Sequence, residues 1–436
     1  MAGKLQAPKG TFDILPDQES IREHVLSHAR ELLGAAGYSR LETPHFEETE
    51  LFARGVGAST DIVKKEMFTF EDLGGRSMTL RPEGTAPVAR AFIEHGMHKD
   101  PQPVKVWYAG PFFRYEAPQK GRFRQFNQIG AEVIGTDNPL ADAELILLLD
   151  ELLRGLGIDD VELRLGSLGS VAGRRAYRDE LRAYLRSREA ELSDDVRERI
   201  DENPMRAFDS DHEGTRAVMA EAPTMLERLA GEDAEHFEAV KRMLDGAGIP
   251  YVLDPTLVRG LDYYTRTVFE FTCDRLGAQS ALGGGGRYDG LIAELGGPDT
   301  PAIGWAAGIE RILLALREGP EHPGPAAFVI AADSTAAFEL VNELRHHRIS
   351  AQLDLAGRAF KAQMKQADRA RAAFAVILEE DGTIKLRDMA SGEQREIPRD
   401  ELPAALCDPD EGAEPTAERE PTVGVHVAER DPGSLD

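Results

Sequence analysis

With 436 residues and a formal charge of −26, the chain is long enough for two or three domains and acidic enough to repel polyanions at long range. That balance excludes nonspecific nucleic-acid binding and leaves room only for locally basic, shape-specific contacts. Nothing near Met1 has the order of a signal peptide and no apolar run approaches the roughly 20 residues of a membrane span, so a cytoplasmic protein with no membrane partner is expected.

Ile21, Val25, Ala29, Leu32 and Leu33 recur at helical spacing after Pro16 and Asp17 and stop at Gly34 and Gly37, which predicts a core helix. Pro44 falls in an extended stretch, and strand patterns follow at Ser77–Leu80, Val104–Phe113 and Arg124–Val133. From Gly173 to Gly246 the composition turns charged and helix-forming, with Tyr177, Leu181, Tyr184 and Leu185 at helical spacing, as in an inserted helical module. Strand character resumes at Leu257–Thr272 and Gln279–Leu282, and Ile303–Leu316 reads as a mostly apolar helix. Pro320, Pro323 and Pro325 mark a linker. Beyond it, strand 326–332, helix 335–347, strand 350–354, helix 358–371 and strand 374–378 alternate, predicting a small, mainly parallel α/β domain over 326–407. Residues 408–436 hold nine acids against Arg419 and Arg430 and read as a disordered, solvating tail. Cys273 and Cys407 stand far apart without metal-ligand spacing, so neither a disulfide framework nor a metal site is expected.

Arg114, Lys120, Arg122 and Arg124 surround a turn between two strands and concentrate positive charge on one hairpin. Lys120 and Arg124 read equally well as solvated loop charges. Arg114 directly follows the apolar run Val104–Phe113, where a guanidinium needs an anionic partner, a carboxylate or a phosphate. Arg311 is embedded among Ile309, Ile312, Leu313 and Leu314, so its partner is either a ligand anion or an acid elsewhere in the chain. Gly304 and Gly308 are spaced to let the predicted 303–316 helix approach a sheet closely. Arg259 precedes Gly260 and the pair Tyr263-Tyr264, and Gly283–Gly286 is a glycine run that reads as a turn or bulge lying close to a ligand; neither segment is a Walker loop or a dinucleotide fingerprint.

Taken together, these segments resemble the histidyl-tRNA synthetases, class II aminoacyl-tRNA synthetases, from Lys9 to near Pro398. Class II motif 2 is similar to Phe113–Arg124 with its following strand, motif 3 to Gly308–Leu316, and motif 1 to the first helix with the stretch around Pro44. Arg81–Thr85 (RPEGT) and Arg259–Tyr264 (RGLDYY) resemble the histidine-specific signatures. The resemblance implies an α+β catalytic domain over 1–320 with a six-stranded antiparallel sheet and the helical insertion, an anticodon-binding domain over 326–407, and a homodimer that charges tRNA(His). The helix around Gly357–Arg371 supplies the basic surface a tRNA needs, and also reads as an ordinary amphipathic helix.

The implied reaction is activation of L-histidine by ATP, with Mg²⁺, followed by transfer to tRNA. The substrate carboxylate is already ionised, so activation needs positioning and charge stabilisation but no general base. By resemblance, Arg114 holds the α-phosphate, Arg259 bridges it to the substrate carboxylate, and Arg311 with Arg122 meets the outer phosphates. Phe126 stacks on adenine beside Glu116. Glu83, Gly84, Thr85 and Gln128 surround the substrate ammonium, and Glu132, Tyr263, Tyr264 and Tyr288 line the imidazole pocket. A carboxylate and a phenol can satisfy the one acceptor and one donor of neutral imidazole, so a substrate lacking them leaves buried groups unpaired. Ala117 departs from the arginine that relatives often carry in the motif 2 loop. A noncatalytic histidine-binding regulatory paralogue of the same fold tends to lose the motif arginines and the anticodon domain, both present here. RGLDYY with Glu132 counts against another class II synthetase.

Overall fold

The computed structural model describes residues 5–57, 60–257, 261–316 and 324–407; Arg259 and the acidic stretch from Asp408 lie outside the described residues. The chain divides between His322 and Pro323 into two compact units.

The first unit contains, in chain order, strands β1 (Ser39–Arg40), β2 (Phe46–Glu48), β3 (Phe68–Glu71), β4 (Ser77–Leu80), β5 (Val104–Phe113), β6 (Gln125–Ile134), β7 (Glu162–Ser167), β8 (Val252–Leu253), β9 (Thr265–Thr272), β10 (Ala281–Arg287) and β11 (Ala302–Gly308). A small sheet orders β2-β4-β3, and an eight-stranded sheet orders β1-β5-β6-β11-β10-β9-β7-β8. The six inner strands of the latter are antiparallel throughout. Only its two-residue edges pair in parallel. The expected six-stranded antiparallel sheet is therefore present, with a short strand added at each side.

Side-chain alternation gives this sheet two unlike faces. One carries Ile129, Ala131 and Val133 of β6, Ile303, Trp305 and Ala307 of β11, and Phe269 and Phe271 of β9. That face packs on Val25, Ala29 and Leu33 of the helix Pro16–Ala35 and on Leu145, Leu149 and Leu152 of the helix Pro139–Gly155. The opposite face, registered across β5, β6 and β11, presents Tyr108 and Gly110, then Phe126, Gln128, Gly130 and Glu132, then Gly304, Ala306 and Gly308. Small residues at the middle of that face leave a trough in an otherwise filled sheet.

Two segments depart from their expected structure. The 303–316 stretch is not one helix: β11 runs to Gly308 and a helix spans only Ile309–Ala315. Ile303, Trp305 and Ala307 alternate with Gly304, Ala306 and Gly308, so the period is that of a strand, and the glycine spacing serves a sheet face. Gly283–Gly286 is no turn but the interior of β10, where a methyl on Gly285 would stand 1.9 Å from the Gly304 carbonyl oxygen of β11. At its end Arg287 is fully buried, its Nε and Nη2 donating to Asp142 at 2.9 and 2.7 Å and its Nη groups to the carbonyls of Thr136 and Asn138, both at 3.0 Å. The expected strand 257–272 is shorter too: β9 begins only at Thr265.

Between β7 and β8 the chain runs through helices Val171–Ser187, Asp194–Arg199, Glu213–Ala220 and Glu232–Ala247. Tyr177, Leu181 and Leu185 bury one stripe of the first of these, and that stripe joins Tyr108, Phe112, Tyr263, Tyr264 and Tyr288 in one continuous apolar cluster.

The second unit has strands β12 (Ala327–Ala331), β13 (Ala351–Leu353), β14 (Phe374–Leu378), β15 (Ile384–Asp388) and β16 (Gln394–Ile397), ordered β13-β12-β14-β15-β16. The first three are parallel as expected, but β15 and β16 add antiparallel hairpins, so the sheet is mixed.

Candidate active site

The trough forms a cleft whose floor includes Gly283 and Gly284 of β10 and Ala306 and Gly308 of β11. Counted to its open mouth it encloses about 990 Å³. At one end lies a pocket walled by phenols and carboxylates. Glu132 is fully buried there, accepting from Thr85 Oγ1 at 2.8 Å, Tyr108 Oη at 3.2 Å and Tyr288 Oη at 2.7 Å. Removal from water pushes its carboxyl up to about 8 against the pull of those hydroxyls, and the neighbouring Glu83 adds to the rise. The packing is close: a methyl on Gly304 would stand 1.5 Å from Glu132 Oε2, and one on Gly84 or Gly130 would stand 2.4 or 2.2 Å from the Tyr108 ring.

Glu83 caps the helix Thr85–Glu94, accepting from the amides of Thr85 and Ala86 at 2.7 and 2.9 Å. Desolvation raises its carboxyl as well. Tyr263 Oη lies 3.4 Å from Glu83, with its ring 4.8 Å from that of Tyr264 and 5.8 Å from that of Tyr288. Gln128 lines the cleft with a buried Oε1 that has no hydrogen-bond partner among the described residues, an acceptor that a ligand donor could meet.

At the other end three guanidiniums converge. Arg114 donates from Nε to the Pro82 carbonyl at 2.9 Å and lies 5.4 Å from the centre of the Phe126 ring. Arg122 pairs with Glu116 at 2.7 Å. Arg311 donates to the carbonyls of Gly121 at 3.0 Å and Ala281 at 2.8 Å, and burial followed by repulsion from Arg122 holds its guanidinium below the usual range. Like charges concentrated around partly buried guanidiniums favour an anion between them. Glu310 lines the same cleft, and its carboxylate accepts from the Asn127 amide and side chain at 2.9 and 2.7 Å, tying the motif 3 helix to β6. Among the described residues no group of three His, Cys, Asp or Glu side chains is arranged to hold a metal ion.

A family model described as Histidyl-tRNA synthetase matches residues 10–312, and one described as Anticodon binding domain matches residues 327–408. The chain is 47% identical over 407 residues to the histidine–tRNA ligase of Thermosynechococcus vestitus, covering 91% of this chain and 95% of that one. It is 48% identical over 406 residues to the histidine–tRNA ligase of Rubrobacter xylanophilus, covering 89% and 96%. The chain belongs to the histidyl-tRNA synthetase family. The apo crystal structure of S. aureus histidyl-tRNA synthetase superposes with a TM-score of 0.78 at 38% identity, over 92% of this chain and all of that one.

Of the residues expected from the family's pattern, Glu83, Gly84, Thr85, Arg114, Glu116 and Arg122 line the one cleft, as do Phe126, Gln128, Tyr263, Tyr264 and Arg311. Glu132 and Tyr288 are not on its surface; they form a layer beneath it, linked through Tyr108 and Thr85. Arg259 lies outside the described residues, while Leu261, two positions on, lines the cleft. Arg81 of the RPEGT signature has a structural use, donating to the carbonyls of Pro111 and Thr43, both at 2.9 Å. Sequence reasoning missed Tyr108, Glu270 and Trp305, all on the cleft. Tyr108 and Glu270 could have been found by extending the period-2 face of β6 across the register to β5 and β9; Trp305 belongs to the opposite face, and no sequence signal marks it.

Proposed function

We propose that this chain activates L-histidine with ATP to histidyl-adenylate and pyrophosphate and transfers the histidyl group to tRNA(His), releasing AMP. The observation that carries the reading is the pairing, within one cleft, of an arginine cluster at Arg114, Arg122 and Arg311 with a buried carboxylate and phenol pocket at Glu83, Glu132 and Tyr263. In this reading Arg114 steadies the α-phosphate and Arg259 bridges it to the attacking carboxylate. Arg122 and Arg311 receive the outer phosphates, and Phe126 takes the adenine face. The ammonium donates to Glu83, Thr85 and the Oε1 of Gln128, while Tyr264 and the Glu132 layer with Tyr288 read the imidazole. Mg²⁺ brought by ATP would be held largely by phosphate oxygens and would help spread their charge, and Glu270 is one of the carboxylates lining that cleft.

The tRNA is proposed to meet the exposed basic stripe of Lys361, Lys365 and Arg369 on the helix Phe360–Arg369, whose opposite side is buried through Gln363 and Ala367. A homodimer is proposed, with the exposed Phe46 and Phe70 of the small sheet as surface for a second copy to cover. A cytoplasmic setting is proposed as well; among the described residues no helix is long and apolar enough to cross a membrane. Aminoacylation of a tRNA(His) transcript with labelled histidine tests the reading. Charging of that tRNA and no other is expected, and Arg259→Ala is expected to abolish it without changing thermal melting. A pure chain that charges no tRNA with histidine overturns the reading.

A further inference from the structure

The insertion is wired into the segment that carries the two tyrosines. Arg174, in the first turn of its first helix, Val171–Ser187, sends both N–H groups of Nη1 across to β9's leading segment: to the Asp262 carbonyl at 3.0 Å and to the Tyr264 carbonyl. These carbonyls flank Tyr263, so one nitrogen spans the residue whose hydroxyl faces Glu83. Among the described residues Arg174 makes no ion pair. Burial lowers its guanidinium and repulsion from Arg178 lowers it further, while Asp262 and Glu294 pull it back up. A half-buried arginine spent on backbone carbonyls fixes a chain segment more than it contributes charge pairing.

A second connection holds the same segment from the far end of the insertion. Asp233, at the start of the helix Glu232–Ala247, accepts from the Ser170 amide at 2.8 Å and pairs with Arg266 at 3.3 Å. Arg266 is left-handed (φ 46°), a costly conformation for arginine, and its amide donates to the Gly169 carbonyl at 2.7 Å. Both ends of the insertion therefore grip residues 262–266. On the other side, the Asp262 amide donates to the Val56 carbonyl at 3.2 Å and a methyl on Gly57 would stand 2.9 Å from the Asp262 carboxylate, leaving the segment little freedom to adjust.

We propose that Arg174 is a positioning residue for amino-acid recognition: by bridging the Asp262 and Tyr264 carbonyls it fixes where the Tyr263 and Tyr264 rings stand in the pocket, and so makes the insertion part of the histidine site. The inference rests on the function proposed above. It separates the two ends of the cleft, because Arg174 touches the segment beside the phenol pocket and none of Arg114, Arg122 or Arg311.

The test is histidine-dependent ATP–pyrophosphate exchange by the full chain without tRNA, comparing the wild type with Arg174→Met and Arg174→Lys. Rates are normalised to active sites counted by the adenylate burst. Methionine keeps the stem and removes the donors; lysine keeps donors on a shorter reach. Arg174→Met is expected to raise the KM for histidine about ten- to a hundredfold while the KM for ATP stays within about twofold, the loss that follows when pocket groups are misplaced by a fraction of an ångström. Arg174→Lys is expected to fall between the two. Three results overturn the proposal: a wild-type KM for histidine in Arg174→Met, equal rises in both KM values, or a loss of active sites with both KM values unchanged in the surviving fraction. Absence of histidine-dependent exchange in the wild type instead refutes the underlying function, which separates the two failures.

Discussion

Gly304→Ala is the sharpest structural test of the pocket, because it adds one methyl and nothing else. That methyl would stand 1.5 Å from Glu132 Oε2, 2.3 Å from its carboxyl carbon and 2.8 Å from the Ala131 carbonyl oxygen. β11 cannot retreat, since β6 and β10 hold it from both sides. The Glu132 carboxyl must move by roughly 2 Å to restore an ordinary van der Waals separation. Such a shift breaks the 2.7 Å bond from Tyr288 and the 2.8 Å bond from Thr85. Overpacking alone costs about 1–3 kcal/mol. Two buried hydrogen bonds add about 1–3 kcal/mol, so together with overpacking a net loss of about 2–6 kcal/mol is expected. Urea unfolding of the full chain measures it, and histidine-dependent exchange is expected to fall at least about a hundredfold in kcat/KM, because the imidazole reader is displaced. Gly246→Ala is the control: within the helix Glu232–Ala247 its methyl would meet nothing within 4 Å, so it should be neutral or stabilise by up to about 1 kcal/mol. Wild-type stability and exchange in Gly304→Ala would refute the reasoning.

Glu132 also predicts a pH slope. Its folded-state carboxyl is raised to about 8 from 4.5, so the folded chain binds the extra proton, and this contribution is complete below about 4.5 and lost as pH climbs toward 8. Glu83, shifted in the same direction, adds to the slope. Glu132→Gln should therefore flatten the fall in melting temperature between pH 5 and 8; an unchanged slope removes Glu132 as its source. In the buried network of Arg287, Asp142 and His236, Arg287→Ala or Asp142→Ala should each cost about 3–5 kcal/mol, with the double substitution well short of their sum, as urea unfolding would show. Arg311→Ala should raise the KM for ATP in exchange at least about tenfold and leave the KM for histidine within about twofold; a selective histidine defect would place Arg311 at the wrong end of the cleft.

Much of the architecture was legible because strand and helix periods differ. Ser77–Leu80 and Val104–Phe113 coincide with β4 and β5, where alternation and flanking Gly and Pro bound the runs. The 303–316 run misled because its alternating strand half runs without a break into the apolar helix Ile309–Ala315, so the strand period was absorbed into one long apolar stretch that only the partner strands β6 and β10 divide. Gly283–Gly286 misled for a related reason: glycine usually interrupts strands, yet here crowding between β9, β10 and β11 excludes side chains. At the site, Arg114 and Arg311 stood out because a guanidinium next to apolar residues needs a partner. Their protein partners are largely backbone carbonyls, which no sequence pattern encodes. Arg174 was invisible for the same reason, since it acts through carbonyls about 90 residues away.

ATP–pyrophosphate exchange by the purified chain, run separately with each standard amino acid, tests the central claim most directly. A carboxylate and phenol pocket joined to an arginine cluster predicts exchange with histidine and, for amino acids lacking a ring nitrogen pair, rates lower by about 10⁴ or more. Exchange that is absent with histidine, or as strong with another amino acid, would contradict it.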